Sequence, residues 1–224
     1  MKVAIVDYGL GNLFSIRNAC GKVGLNSEIT NVKDGILKSD AVILPGVGSF
    51  SNAMSTLIKL DLVSVLRDVV LSSKPFMGIC LGMHLLMSES YEFGHHKGLG
   101  LVNGTVLRFD GNTGSSGKRF KVPHVGWNKI YTVKNESHEN KWNNSVLCGI
   151  DDGSFMYFVH SYMTKPENED VQLSVTNYGD IEFCSSFQYG NLFACQFHPE
   201  RSGPQGLRIY DNFAKMISGN FKDE

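Results

Sequence analysis

Pro75-Phe76-Met77-Gly78-Ile79-Cys80-Leu81-Gly82-Met83 is the stretch on which the fold turns. Residues 75–79 form a short apolar run, and a helical pattern over residues 81–89 begins just past Cys80. Gly-x-Cys-x-Gly at a strand end has the shape of a nucleophile elbow, with cysteine as the nucleophile. A sharp strand-to-helix turn brings neighbouring backbones close, so side chains at positions 78 and 82 would clash. Cys80 would then sit at a helix N-terminus, where backbone N–H groups and the dipole favour a thiolate. The N–H of Leu81 would face an oxyanion formed on the attacked group.

Working outward, residues 3–6 and 41–44 are two more apolar runs, the second stopped by Pro45-Gly46. Helical periodicity follows each strand: residues 12–23 after a Gly-rich turn, and residues 54–71 through Leu57, Leu60, Val63, Leu66 and Val70. Alternating strand and helix predicts a parallel sheet covered on both faces. The second half has another texture. Short β-like segments recur at 105–109, 129–133, 155–159, 172–176, 181–187 and 192–197, and a helical pattern at 206–217 closes the chain. Gly111–Gly117 and residues 134–144 read as surface loops. The expected fold is one α/β domain over residues 1–224: a mostly parallel sheet flanked by helices, with an antiparallel β elaboration in its second half.

Composition narrows the function. Of 224 residues, 42% are hydrophobic and 19% charged, an ordinary globular balance. Lys plus Arg is 21 against 22 Asp plus Glu, which offers no basic face for nucleic acid. No run is long and apolar enough to span a bilayer. Cys20, Cys80, Cys148, Cys184 and Cys195 are odd in number and lack Cys-x-x-Cys spacing. Free thiols in the cytoplasm are the expectation. No metal site or cofactor is expected: His95 and His96 lack further ligands at suitable spacing.

A thiol nucleophile needs a base, and Gln196-Phe197-His198-Pro199-Glu200 supplies one after the last apolar strand. Pro199 keeps His198 extended, and residues two apart then share a face, so Glu200 can orient the imidazole. Pro45-Gly46-Val47-Gly48-Ser49-Phe50 ends the strand at 41–44. In a parallel sheet it stands at the same carboxyl edge as Cys80, so one N–H from Val47 or Gly48 is a second oxyanion donor. Plainer readings stay open here: a buried structural cysteine, a His-Pro-Glu turn and a strand-ending loop.

Six ordered motifs spread over nearly the whole chain resemble the triad (class I) glutamine amidotransferases, and within them the glutaminase subunits of imidazole glycerol phosphate synthase, the HisH family. They are Val6-Asp7-Tyr8-Gly9-Leu10-Gly11-Asn12-Leu13, Leu44–Phe50, Gly78–Met83, Pro123-His124-Val125-Gly126-Trp127-Asn128, Tyr157-Phe158-Val159-His160-Ser161-Tyr162, and Gln196–Gly203. The resemblance implies Cys80, His198 and Glu200 as the triad, with Val47, Gly48 and Leu81 around the oxyanion. It implies glutamine bound near His84, Glu92, His160, Ser161 and Tyr162. His84 departs from the family's usual Gln there, so it either holds substrate with different reach or packs away. A (β/α)₈-barrel cyclase partner, HisF-like, is implied in a heterodimer, with Asn12, Trp127 and Arg201 near the interface. An alternative pathway is ammonia delivery for amidination of a surface-polysaccharide sugar. A Cys-His peptidase and a subunit with a vestigial elbow are the readings from other classes.

Overall fold

The computed structural model describes residues 1–109, 120–133 and 140–220. Four strands open the chain: β1 (Lys2–Val6), β2 (Asn26–Thr30), β3 (Ala41–Leu44) and β4 (Phe76–Ile79). Between them run α1 (Leu13–Lys22), α2 (Lys33–Leu37), α3 (Phe50–Lys59) and α4 (Val63–Leu71), and α5 (Leu81–Leu85) leaves β4 directly. Then follow β5 (Met87–Ser90), β6 (His96–Lys97), β7 (Val102–Arg108), β8 (His124–Lys129) and β9 (Tyr131–Thr132). The last strands are β10 (Phe155–His160), β11 (Tyr162–Pro166), β12 (Gln172–Tyr178), β13 (Ile181–Tyr189) and β14 (Leu192–Cys195), before α6 (Gly203–Ile217).

The main sheet runs β2-β1-β3-β4-β14-β13-β11-β7-β5-β6, with β12 and β9 branching from β13. From β2 to β14 every pairing is parallel. Beyond β14, β13, β11 and β7 pair antiparallel in turn. β8 and β10 form a separate antiparallel ribbon, Tyr157 opposite Trp127.

Inside the edge strand β2, the strands of the parallel half are buried on both faces because each residue class faces its own core. Ala4, Val6, Val42 and Leu44 pack against α3 and α4 through Phe50, Leu57, Leu66 and Val69. Val3, Ile5, Ala41 and Ile43 pack against α1 and α6 through Ile16, Cys20, Ile209 and Phe213. Each such Val, Ile or Leu contributes about 1.5–3 kcal/mol of burial.

The decisive topological step is late. β14 slots in beside β4 in parallel register, Leu192 opposite Phe76 and Cys195 opposite Ile79. Residues 196–198 therefore emerge at the same rim as Cys80, and the Cys80 N–H donates to the Cys195 carbonyl at 2.8 Å.

Three expectations need correction. The periodicity over 54–71 belongs to two helices, broken where Asp61 takes φ 52°. The helical pattern over 81–89 stops at Leu85, and Met87–Ser90 is a strand between β6 and β7. β2, β6 and β11 were absent from the sequence-based expectation, and the strand expected at 129–133 is the end of β8 followed by the short β9. The predicted loop at Gly111–Gly117 and the 134–139 part of the predicted loop 134–144 lie outside the described residues; 140–144 is mostly turn.

Candidate active site

Cys80 sits between β4 and α5 at φ 54°, ψ −109°, a conformation costly for a non-glycine residue, by about 1–3 kcal/mol. Close packing holds it there. A Cβ on Gly82 would collide with the Leu44 carbonyl oxygen, and one on Gly78 would lie 2.8 Å from Leu86 Cδ1. The glycines flanking the sulfur are thus demanded by the approach of β3 and α5. With only five residues, α5 offers little dipole. Leu81, its first residue, has an N–H with no intrahelical acceptor.

His198 is fixed by backbone and side chain together. Its N–H donates to the Tyr157 carbonyl at 2.9 Å, tying the loop after β14 to the ribbon. Its Nδ1–H donates to Glu200 Oε1 at 2.8 Å, and both side chains are buried. That bond leaves Nε2 unbonded, buried and without a hydrogen-bond partner among the described residues. Burial pulls the imidazolium pKa down, but the sulfur and the Glu200 carboxylate outweigh it and raise it to about 10. Across neutral pH the ring is charged, bonded to a carboxylate and under the influence of the sulfur, which suits a proton shuttle. Cys80 Sγ also lies 3.8 Å from the Val159 carbonyl oxygen.

Val47, Gly48, Leu81, His84, Glu92, Phe93, His160, Ser161 and Tyr162 line a pocket of about 330 Å³ with Cys80. The loop after β3 is held from behind, where Tyr8 Oη donates to the Pro45 carbonyl at 2.7 Å. A Cβ on Gly46 would strike that hydroxyl and lie 2.9 Å from Leu81 Cβ, so the loop rests directly on the elbow. Gly48 takes φ 103°. Glu92 is buried, its Oε2 accepting from the Phe50 N–H at 2.6 Å. Burial raises its pKa, partly offset by that bond.

Sequence reasoning missed two polar features beside the sulfur. Gln196 Oε1 is 2.7 Å from His84 Nε2, and Gln196 Nε2 is 3.8 Å from Cys80 Sγ. His84 is buried, and desolvation lowers its pKa to about 4 despite that bond. His160 Nδ1–H donates to the Tyr162 carbonyl at 2.8 Å, leaving Nε2 to accept from His124 Nδ1–H at 2.9 Å. Both histidines are held below their ordinary pKa, chiefly by burial, His124 at about 4. Gln196 and His124 were quoted in motifs, but their partners lie 112 and 36 residues away along the chain, so no local spacing announces them.

Trp127 is 55% exposed on β8, its ring 6.0 Å from Tyr157, and the Arg201 guanidinium stacks 4.4 Å over that same Tyr157. Asn12 is exposed and caps α1, accepting from the Ser15 N–H at 3.4 Å. Its neighbour Gly11 faces Pro45, so Asn12 borders the loop that follows β3. Among the described residues, no group of His, Cys, Asp and Glu could hold a metal ion, and no helix is long and apolar enough to cross a membrane.

Residues 4–217 match the model of the family described as glutamine amidotransferase class-I. The chain belongs to the class-I glutamine amidotransferases. It is 41% identical to the "Imidazole glycerol phosphate synthase subunit HisH" of Aquifex aeolicus, over 96% of this chain and 97% of that one. The protein of the same name from Syntrophotalea carbinolica is also 41% identical, over 96% and 100%. Among solved structures, a glutamine amidotransferase superposes with TM-score 0.70 at 17% identity, covering 96% of this chain and 98% of that one. PurLQS from Thermotoga maritima gives 0.66 at 17%, covering 99% of each. The pairing of β14 with β4 brings the loop that carries His198 and Glu200 to the rim of the sheet where Cys80 ends β4.

Proposed function

We propose that this chain, as one domain over residues 1–224, is the glutaminase subunit of imidazole glycerol phosphate synthase. It hydrolyses L-glutamine to glutamate and ammonia in histidine biosynthesis, and works in the cytoplasm. The observation that carries the reading is the convergence of Cys80, His198 and Glu200 beside the pocket, in a chain 41% identical to HisH proteins over nearly its full length.

Cys80 thiolate attacks the side-chain amide carbon of glutamine, and N–H groups of Leu81 and of Val47 or Gly48 hold the oxyanion. His198, protonated on Nε2, gives that proton to the departing nitrogen as the C–N bond breaks. Ammonia leaves and a thioester remains. His198 then takes a proton from water as its oxygen attacks, and collapse returns glutamate and the thiolate. Glu200 keeps the ring in one orientation and stabilises its charge. Glu92, Ser161 and Tyr162 hold the amino-acid end of glutamine, while His84 is bonded to Gln196.

Ammonia is mostly protonated in neutral water and then not nucleophilic, which favours passing it directly to an acceptor. The partner is a HisF-like (β/α)₈-barrel cyclase in a heterodimer, docked over Asn12, Trp127 and Arg201. The test is glutamine turnover by the purified chain, alone and with such a cyclase and its ligand. Slow turnover alone and strong stimulation by the complex is the expected result; equal turnover in both overturns the coupling.

A further inference from the structure

The side chain one helical turn beyond the nucleophile touches a neighbour of the sulfur. α5 carries Cys80 at its N-cap and His84 four residues on, with the His84 N–H bonded to the Cys80 carbonyl. The parallel register of β14 against β4 places Gln196 across from them, its N–H held by the Ser185 carbonyl at 2.9 Å. His84, Gln196 and Cys80 thus form a line: 2.7 Å from imidazole Nε2 to amide oxygen, then 3.8 Å from amide nitrogen to sulfur.

We propose that His84 is a positioning residue, donating its Nε2–H to Gln196 Oε1 so that the Gln196 amide N–H donates to the Cys80 sulfur. This rests on the glutaminase reading above for its role in turnover, but not for its effect on the thiol.

The polarity of the line follows from donor inventories. An amide oxygen only accepts, so the imidazole must donate to it. The amide NH₂ is then on the side facing the sulfur, where it supports negative charge. Turned over, the amide would present oxygen to a thiolate, and two electron-rich atoms would repel. A neutral imidazole suffices for this task, and burial keeps His84 neutral through the range where thiolates react. Gln196 is fully buried, so no solvent competes for its donors. Hydrogen bonds to charged groups in such surroundings are stronger than neutral ones.

Cys80 alkylation by iodoacetamide tests this without glutamine. Peptide mass mapping separates Cys80 from the other four cysteines, and the rate is followed from pH 5 to 9. His198, Tyr8 and Cys195 also face the sulfur, and His160 and Glu92 line the same pocket; all stay unchanged in the variants. Gln196→Met removes the donor and should slow alkylation at pH 7 about tenfold, moving the profile up by about one pH unit. Gln196→Glu, nearly isosteric, replaces the donor with a carboxylate oxygen and should slow it further. His84→Phe should give part of the Gln196→Met shift, and His84→Gln, which keeps a donor, should restore the parental profile. In glutamine turnover, His84→Phe should lower kcat with KM unchanged.

A raised KM with an unaltered alkylation profile makes His84 a substrate ligand and overturns the proposal. So does a parental profile in both Gln196 variants. A shifted profile in a chain that hydrolyses no glutamine supports the line of contacts while sinking the glutaminase reading.

Discussion

The two halves of the sheet meet at β14, and the groups around the sulfur divide along that seam. The parallel half supplies the nucleophile and the loop before it, and controls them by shape: Gly46, Gly78 and Gly82 stand where a Cβ has no room. The antiparallel half and its ribbon supply polar groups, Val159 O, His160 and Tyr162, and anchor the His198 loop through Tyr157. One side holds a strained cysteine in place, and the other closes the pocket around it with polar groups. Crowding those glycines should therefore appear as lost stability, and removing a polar or nucleophilic group at the pocket as lost rate in a folded protein.

Removing the sulfur itself should have the largest effect. Cys80→Ala should lower glutamine hydrolysis by at least about 10⁴-fold with the thermal transition little moved. Retained hydrolysis would place the nucleophile elsewhere. Next, Glu200→Gln should cost about 10³-fold in kcat with the fold intact, because the neutral amide no longer stabilises the imidazolium. A pure KM effect would contradict the His198–Glu200 geometry. On the steric side, Gly82→Ala should cost about 3 kcal/mol or more, since the new methyl meets a backbone oxygen that cannot swing away. In a chain of this size that lowers Tm by roughly 10 °C. A variant as stable as its parent would show that β3 and α5 can separate, and the division of labour would lose its steric half.

The same division explains what was legible in the sequence. β1, β3 and β4 are apolar on both faces, so their reading needs no knowledge of neighbours. β2, Asn-Ser-Glu-Ile-Thr at the sheet's edge, carries one buried residue and looks like loop. The break at Asp61 was hidden because Leu57, Leu60, Val63 and Leu66 keep three-residue spacing straight through the turn. The candidates Cys80, His198 and Glu200 were legible as residue types beside a strand end and in a His-Pro-Glu turn. That position 196 lies beside position 80 follows only from β14 entering the sheet next to β4, a long-range fact that no periodicity encodes. His84 illustrates the limit: its type and position were visible, but its partner was not.

The smallest effect tests the charged half through stability. His84 and His124 are lowered to about 4 and His160 well below its ordinary value, all first by burial. The unfolded chain takes up a proton at each near pH 6.5, while the folded chain refuses until pH falls much further. At these three positions the unfolded state binds more protons between those values, so they make stability drop on acidification, while the raised Glu92 carboxyl opposes them. His198 works in another window: raised to about 10, its contribution is complete below 6.5 and fades only as pH rises toward 10. It cannot mask the acid limb. Replacing one member, His124→Gln, keeps a polar side chain between Asn128 and His160 but removes the titration. The acid slope should fall by one proton, about 1.4 kcal/mol per pH unit, in urea unfolding between pH 4.5 and 6.5. Equal slopes in parent and variant would mean that His124 takes up its proton without unfolding. The ribbon would then be open to water on its inner face, and the contrast with the tightly closed parallel half would be one of solvent access as well as charge.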